Sequence, residues 1–141
     1  ASDVYKRQDE GRVIEVRSYD TKFGIWTYFT ADDGQINLDR HDYLVIGTLV
    51  SYRALRDYFG SDKLVPIYIE VEDGLRLYRA LQRERKEKAP KYAEMCRRFL
   101  ADSEDFSEDN LRKAGIERRF ENLDLDACLE EINRYIEDFR V

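Results

Sequence analysis

The sequence predicts a single α/β domain in which a parallel sheet is flanked by helices. Compact apolar runs at 43–48 and 64–71 are suited to strands that are buried on both faces, and a helical pattern follows each run. The resulting order of strand, helix, strand, helices, strand and helix is typical of parallel α/β sheets. A chain of 141 residues, 43% of them hydrophobic, is large enough to bury one core.

Closely spaced segments ahead of the first buried run predict a small antiparallel insert. Residues 13–18 and 23–30 are predicted strands, and 35–38 a short third one, because turn residues separate them. Residues 1–8 show neither a helical nor a strand period, and residues 1–10 are expected to form a ragged end ahead of the domain.

Capping residues and apolar periodicity predict the helices. Ser51 is expected to cap a helix that ends at Gly60, and Asp73 to open a long helix with a highly charged end. Pro90 is expected to start another helix, over 91–101. The remaining predicted elements are a helix over 107–114, a strand over 119–122 and an amphipathic helix from Asp124.

Charge and composition exclude several classes of function. A formal net charge of −6 argues against general nucleic-acid binding, because no global basic field attracts phosphates. There is no apolar run long enough for a membrane span and no secretory leader pattern, so a cytoplasmic protein is expected. Cys96 and Cys128 are expected to be reduced thiols, and the single His41 lacks partners at zinc-ligand spacing, so no metal site is predicted.

Glu15 is the most unusual residue of the insert. It lies in the stretch GRVIEVRSYDTKFG, at 11–24, where Val13, Ile14 and Val16 surround it. A carboxylate in an apolar run costs free energy unless a partner compensates it. The residues alone leave two interpretations open: Glu15 binds a ligand, or it points to solvent from a half-exposed strand.

From Gly11 onward the sequence resembles the guanylate kinase family of P-loop nucleoside monophosphate kinases. GRVIEVRSYDTKFG is similar to the family's guanine-recognition segment, LVPIYIEVEDGLRLYRALQRERK to the central strand and arginine-bearing lid, and RRFENLDLDACLEEI to the closing strand and helix. The resemblance implies a parallel-sheet P-loop kinase-like fold. Its GMP-binding region would be about 11–40 and its lid region about 79–104.

The resemblance implies a role for Glu15 as the reader of guanine. Guanine presents the N1–H and N2–H₂ donors side by side, and one carboxylate accepts both, whereas adenine presents an acceptor at N1. Phe23 and Gly24 match an aromatic–glycine pair of the GMP site. Phe23 lacks the hydroxyl that commonly touches the phosphate there, so Tyr28 or Tyr19 would have to supply it.

Further substrate and catalytic residues are implied in the same way. Thr48 stands where the family often has an acidic residue and offers guanine a weaker hydrogen bond. Arg85 and Arg98 match lid arginines that neutralise the transferring phosphoryl group, a role that suits the planar guanidinium. The alternative is a solvated helix balanced by neighbouring glutamates. Asn122 matches a residue near the adenine of ATP, with a strand cap as its alternative.

The P-loop motif of the family, G-x-x-x-x-G-K-[ST], is not in the sequence. The expectation is that the chain corresponds to the C-terminal three-quarters or so of a guanylate kinase, with the first strand and P-loop missing. The full-length parent would use ATP and Mg²⁺ to phosphorylate GMP, giving ADP and GDP, while this chain would be inactive and need no cofactor. The alternative function is a non-catalytic guanylate-kinase-like module that binds other proteins. The expected partners are the nucleotides GMP and ATP, with no nucleic acid and no membrane.

Overall fold

The structure is a computed structural model that describes residues 9–21 and 24–139. The chain divides into two compact units, Ala1–Leu64 and Val65–Val141. In the described residues each unit contains one two-stranded sheet, antiparallel in the first unit and parallel in the second. The prediction of a mixed α/β fold is confirmed at this level.

The first unit is built on a β-hairpin. Strand β1 (Val13–Thr21) pairs antiparallel with β2 (Gly24–Ala31), and a bulge interrupts the register between Val13 and Glu15. Residues with β-branched and aromatic side chains are frequent in both strands, as the pleated surface favours. The helix α1 (Leu49–Phe59) follows and packs against β1, and a short 3₁₀ turn spans Ser61–Lys63.

The C-terminal end of α1 is fixed to the hairpin by a tyrosine. Tyr58 Oη donates a hydrogen bond to Asp32 Oδ2 at 3.1 Å, and this bond, with some desolvation, raises the pKa of Tyr58. The helix ends at Gly60, whose φ of 95° is open to glycine at no steric cost. Its N–H donates to the Arg56 carbonyl at 2.9 Å.

The second unit surrounds a short parallel ladder. Strand β3 (Tyr68–Glu70) pairs with β4 (Arg119–Glu121), with Ile69 opposite Phe120. The helices of this unit are α2 (Asp73–Glu84), α3 (Tyr92–Asp105), α4 (Glu108–Ala114) and α5 (Leu125–Phe139). The helices predicted from Asp73, over 91–101, over 107–114 and from Asp124 are therefore present, with boundaries shifted by a few residues.

The core of the second unit lies between β4 and α5. Phe120 is fully buried, and its ring meets that of Tyr135 edge-on with 5.3 Å between centroids. Such an aromatic pair adds about 0.5–1.5 kcal/mol to the burial of its surface. The other members of this cluster are Cys128 and Ile132, with Ile67 and Ile136 packed against it.

An arginine connects α2 with α3. The guanidinium of Arg76 lies 4.2 Å from the centroid of the Phe99 ring and donates to Ser103 Oγ at 2.6 Å. Upstream, Glu72 caps α2 by accepting hydrogen bonds from the backbone N–H groups of Gly74 and Leu75, which lower the pKa of Glu72. Cap and cation–π contact therefore fix both the start and the orientation of α2.

Two predicted strands are wrong. Residues 35–38 and 43–48 have no ladder, and 64–71 is a strand only at β3. The apolar run at 43–48 is also not buried, since Ile46 is 98% exposed and Leu44 nearly so. A central strand needs neighbours on both edges, and none of the described residues pairs with this run.

Candidate functional site

Glu15 lies at the bulge of β1 and is largely withdrawn from solvent. Its side chain is 15% exposed, and its backbone is paired opposite Thr30. The bulge inserts one residue, Ile14, between the pairs at Val13 and Glu15. Bulges of this kind change the direction in which the following side chain points. Glu15 is therefore a carboxylate that needs compensating partners, as its sequence context predicts.

The compensation comes from the first turn of α1. Thr48 is the N-cap residue, and its Oγ1 accepts from the Ser51 backbone N–H at 3.5 Å. The prediction that Ser51 itself caps the helix is wrong, because the chain becomes helical at Leu49. Ser51 instead lies inside the first turn, where its hydroxyl donates to Glu15 Oε1 at 3.1 Å.

Gly47 provides the space in which Ser51 sits. A Cβ atom built on Gly47 would lie 3.0 Å from Ser51 Cβ and 3.3 Å from Ser51 Oγ. The resemblance implies only that an acidic residue common in the family is missing at 47–48. The structure adds a steric reason for the absence of any side chain at Gly47.

Arg17 is the second partner of Glu15. The two residues are separated by one position in β1, so they project from the same face of the hairpin. Arg17 Nη2 lies 3.4 Å from Glu15 Oε1 and 3.3 Å from Oε2, and the same nitrogen contacts Ser51 Oγ. Thr30 Oγ1 approaches Glu15 Oε1 at 3.5 Å, the outer limit of a hydrogen bond.

These five residues, Glu15, Arg17, Thr30, Thr48 and Ser51, are called the Glu15 cluster below. The N-terminus of α1 favours negative charge beside it, because its backbone N–H groups give that end a partial positive charge. The carboxylate has two oxygens with about four acceptor positions; Ser51 and Thr30 both approach Oε1, and Arg17 contacts both oxygens. The cluster can therefore bind a planar ligand that presents adjacent N–H donors, if Arg17 shifts.

The other predicted GMP-site residues differ in their distance from Glu15. Thr48 belongs to the Glu15 cluster, which joins two predicted site residues through Ser51. Gly24 pairs with Thr21 at the opposite end of the hairpin, roughly 20 Å from Glu15 at about 3.3 Å per residue. Phe23 lies outside the described residues.

Tyr28 lies on the same face as the Glu15 cluster. It is paired opposite Arg17, and its side chain is exposed. The resemblance implies that Tyr28 or Tyr19 supplies a hydroxyl to the phosphate in place of Phe23. The register gives Tyr28 a place beside the carboxylate and guanidinium of the cluster.

The two predicted catalytic arginines lie in the second unit. Arg85 is the C-cap residue of α2, and its side chain is exposed. Arg98 is exposed on α3, and its Nε donates to Glu94 Oε1 at 3.0 Å. Arg97 forms two further hydrogen bonds with Glu94, and together these contacts lower the pKa of Glu94 from 4.5 to about 2. Arg98 is thus held within its own helix by a carboxylate.

Asn122 follows β4 and extends its ladder. Its backbone N–H donates to the Glu70 carbonyl at 2.9 Å, as expected of a residue that ends a strand. Arg79 of α2 donates to the Asn122 carbonyl at 2.8 Å and to the Leu123 carbonyl at 3.0 Å. These contacts fix the backbone of Asn122 and involve no atom of its side chain.

Sequence reasoning missed three members of the Glu15 cluster as site residues: Arg17, Thr30 and Ser51. The period of two in a strand was a usable signal for Arg17, because it places residues 15 and 17 on one face. Thr30 depends on the register across the hairpin. Ser51 is 36 residues away from Glu15 in the chain, and no local pattern connects them.

Metal-binding and membrane-spanning features are both absent from residues 9–21 and 24–139. In that part of the chain no three His, Cys, Asp or Glu side chains come together as a metal-binding group. Likewise, no helix among those residues has both the length and the apolar character needed to cross a membrane.

Comparison with known proteins finds no match for this chain among family models, curated proteins or solved structures. Function is therefore proposed from the residues and their geometry.

Proposed function

We propose that this chain carries the guanine-recognition and lid parts of a guanylate-kinase-like protein. In a protein that also contains a P-loop, these parts would serve transfer of a phosphoryl group from ATP to GMP, giving ADP and GDP. The observation that carries the proposal is the Glu15 carboxylate, 15% exposed and held by Ser51 in the first turn of α1. The sequence resemblance to guanylate kinases supports the same assignment.

The chemistry of guanine explains why a carboxylate held in this way is useful. The N1–H and N2–H₂ groups of guanine donate to the two oxygens of the carboxylate, and the result is a bidentate pair of charge-assisted hydrogen bonds. Adenine presents an acceptor at N1, so its ring nitrogen would face a carboxylate oxygen with no hydrogen between them, and this repulsion costs more than a missing contact in a partly desolvated site. The site is therefore expected to prefer guanine nucleotides.

The residues of this sequence do not supply a cradle for the phosphates of ATP, because the motif G-x-x-x-x-G-K-[ST] is absent. Phosphoryl transfer accordingly needs residues other than these 141. Within the proposal, Arg85 and Arg98 would neutralise charge on the transferring group, and Asn122 would lie near the adenine. In a longer protein with a P-loop, replacing either arginine with Ala is expected to lower kcat more than it raises the KM for GMP. An effect on KM alone would make that arginine a substrate clamp.

Nucleotide titrations of the purified chain test the proposal. Calorimetry or NMR should show weak binding of GMP that is at least about tenfold tighter than that of AMP. Glu15→Gln removes the charge and replaces one acceptor with a donor. The preference for GMP over AMP should therefore disappear, and the free energy of GMP binding should weaken by about 2–4 kcal/mol.

Glu10→Gln is the matched control. It makes the same chemical change in an exposed glutamate that also pairs with an arginine, Arg12, at 3.3 Å. This variant should retain the preference for GMP. Equal affinity for GMP and AMP in the unmodified chain would contradict the proposed function and would favour the interaction-module alternative.

A further inference from the structure

Ser51 is a buried polar residue in the first turn of α1. It is only 6% exposed, and it is the one buried polar residue among the side chains that the structure describes. Buried hydroxyl groups are retained where they form hydrogen bonds, since an unsatisfied one is costly. Ser51 satisfies this requirement through the side chains of Glu15, to which it donates, and Arg17, which contacts its oxygen.

The hydroxyl of Ser51 contacts the Glu15 carboxylate more closely than the hydroxyl of Thr30 does. It donates to Oε1 at 3.1 Å, while Thr30 approaches the same oxygen only at 3.5 Å. Arg17 lies at nearly equal distances from the two carboxylate oxygens, 3.4 and 3.3 Å. Its contact therefore does not favour one orientation of the Glu15 carboxylate over the other. The contact with Ser51 is therefore the one that selects which oxygen points towards α1.

The position of Ser51 is itself restricted. It lies in the first turn of a helix capped by Thr48, and the space beside its Cβ exists because residue 47 is glycine. A hydroxyl on a helical turn that is packed in this way has little freedom to follow the carboxylate. The carboxylate, in contrast, rotates about a broad terminal torsion unless a hydrogen bond fixes it.

We propose that Ser51 is a positioning residue that sets the guanine selectivity of Glu15 by fixing the plane of its carboxylate. This inference rests on the proposed function. Bidentate recognition requires both oxygens to lie in the plane of the base, whereas a single hydrogen bond tolerates rotation. Ser51 is too deeply buried to touch the base and acts only through Glu15.

Comparison of GMP with IMP isolates this effect. IMP keeps the N1–H group but lacks the 2-amino group, so it forms only one of the two hydrogen bonds. A carboxylate in the correct plane distinguishes the two nucleotides, and a freely rotating one distinguishes them less. The ratio of the two affinities therefore reports on orientation, and a general loss of folded protein does not change it.

The test measures GMP and IMP affinity by NMR titration for the unmodified chain, for Ser51→Ala and for Ser18→Ala. Ser51→Ala should lower the GMP-to-IMP affinity ratio by about tenfold, the value of one hydrogen bond to a charged group, with little change for IMP. Ser18→Ala is the control, because Ser18 forms its hydrogen bond with Thr27 at 3.0 Å on the exposed opposite face of the hairpin. An unchanged GMP-to-IMP ratio in Ser51→Ala would overturn the positioning role of Ser51, but it would not contradict the proposal that the chain binds GMP.

A second measurement separates this inference from the proposed function. Urea unfolding of Ser51→Ala, Glu15→Gln and the double variant, without nucleotide, gives the coupling between the two side chains. Non-additive effects support the positioning contact, and additive effects overturn it. If the chain binds neither nucleotide, the proposed function fails, and the unfolding cycle still decides whether Ser51 positions Glu15.

Discussion

Substitution of Gly47 with Ala tests the packing that holds the Glu15 cluster in place. The new Cβ would lie 3.0 Å from Ser51 Cβ, whereas two carbon atoms at optimal separation are about 3.5–4.0 Å apart. Ser51 cannot easily yield, because it belongs to the first turn of α1. Overpacking of this kind costs about 1–3 kcal/mol, and replacing glycine returns about 0.4–1 kcal/mol by restricting the unfolded chain. We therefore expect a net loss of about 1–2 kcal/mol in the free energy of unfolding.

Urea unfolding followed by tryptophan fluorescence measures this loss in the first unit, because the single tryptophan, Trp26, belongs to β2. A double-mutant cycle with Ser51→Gly provides the control. Removing the Ser51 side chain removes the atom that the introduced methyl group would meet, so the two substitutions should be clearly non-additive. A Gly47→Ala variant with unchanged or higher stability would refute the steric role of Gly47.

Three further predictions concern the second unit and the chain as a whole. Phe120→Ala should lower the free energy of unfolding in urea by about 3–5 kcal/mol because the ring is fully buried. Leu100→Ala, at an exposed position of α3, should change it by less than about 0.5 kcal/mol, and similar values for both variants would contradict the placement of Phe120 in the core. Carbon-detected NMR should show Glu94 titrating with a pKa of about 2, so its ion pairs stabilise the fold above pH 4.5 and are lost as the pH falls towards 2. Arg97→Gln should raise the pKa of Glu94, and an unchanged pKa would show that the contact with Arg97 does not lower it. The 141-residue chain should release no ADP from ATP with GMP and Mg²⁺ in a coupled assay, and turnover above the blank would show that a P-loop is dispensable.

The sequence allowed the hairpin and the helices of the second unit to be predicted, because their signals are local. Alternation and turn residues mark β1 and β2, and caps near Asp73 and Asp124 mark two helix starts. Asp124 Oδ1 indeed accepts from the Ala127 N–H at 2.9 Å, as a capping residue does. Such patterns are complete within a few residues and do not depend on distant partners.

The failures have non-local causes. A buried strand at 43–48 requires neighbouring strands, and composition alone cannot show whether they are present. Ser and Thr are both good N-cap residues, so the sequence alone does not distinguish Ser51 from Thr48, and the actual cap depends on where the chain turns helical. The Glu15 cluster itself arises from contact between a strand and a helix far apart in the sequence, so only Glu15 and Thr48 were anticipated.

Direct observation of the Glu15 carboxyl group during nucleotide binding is the most decisive measurement. In a chain labelled with ¹³C at the glutamate carboxyl carbons, the Glu15 resonance is identified by its absence from the Glu15→Gln variant. We expect this resonance to shift on addition of GMP and to stay in place on addition of the same concentration of AMP, because only guanine donates two hydrogen bonds to the carboxylate. If the chemical shift of Glu15 does not change with GMP, or changes equally with both nucleotides, the claim that Glu15 recognises guanine is contradicted.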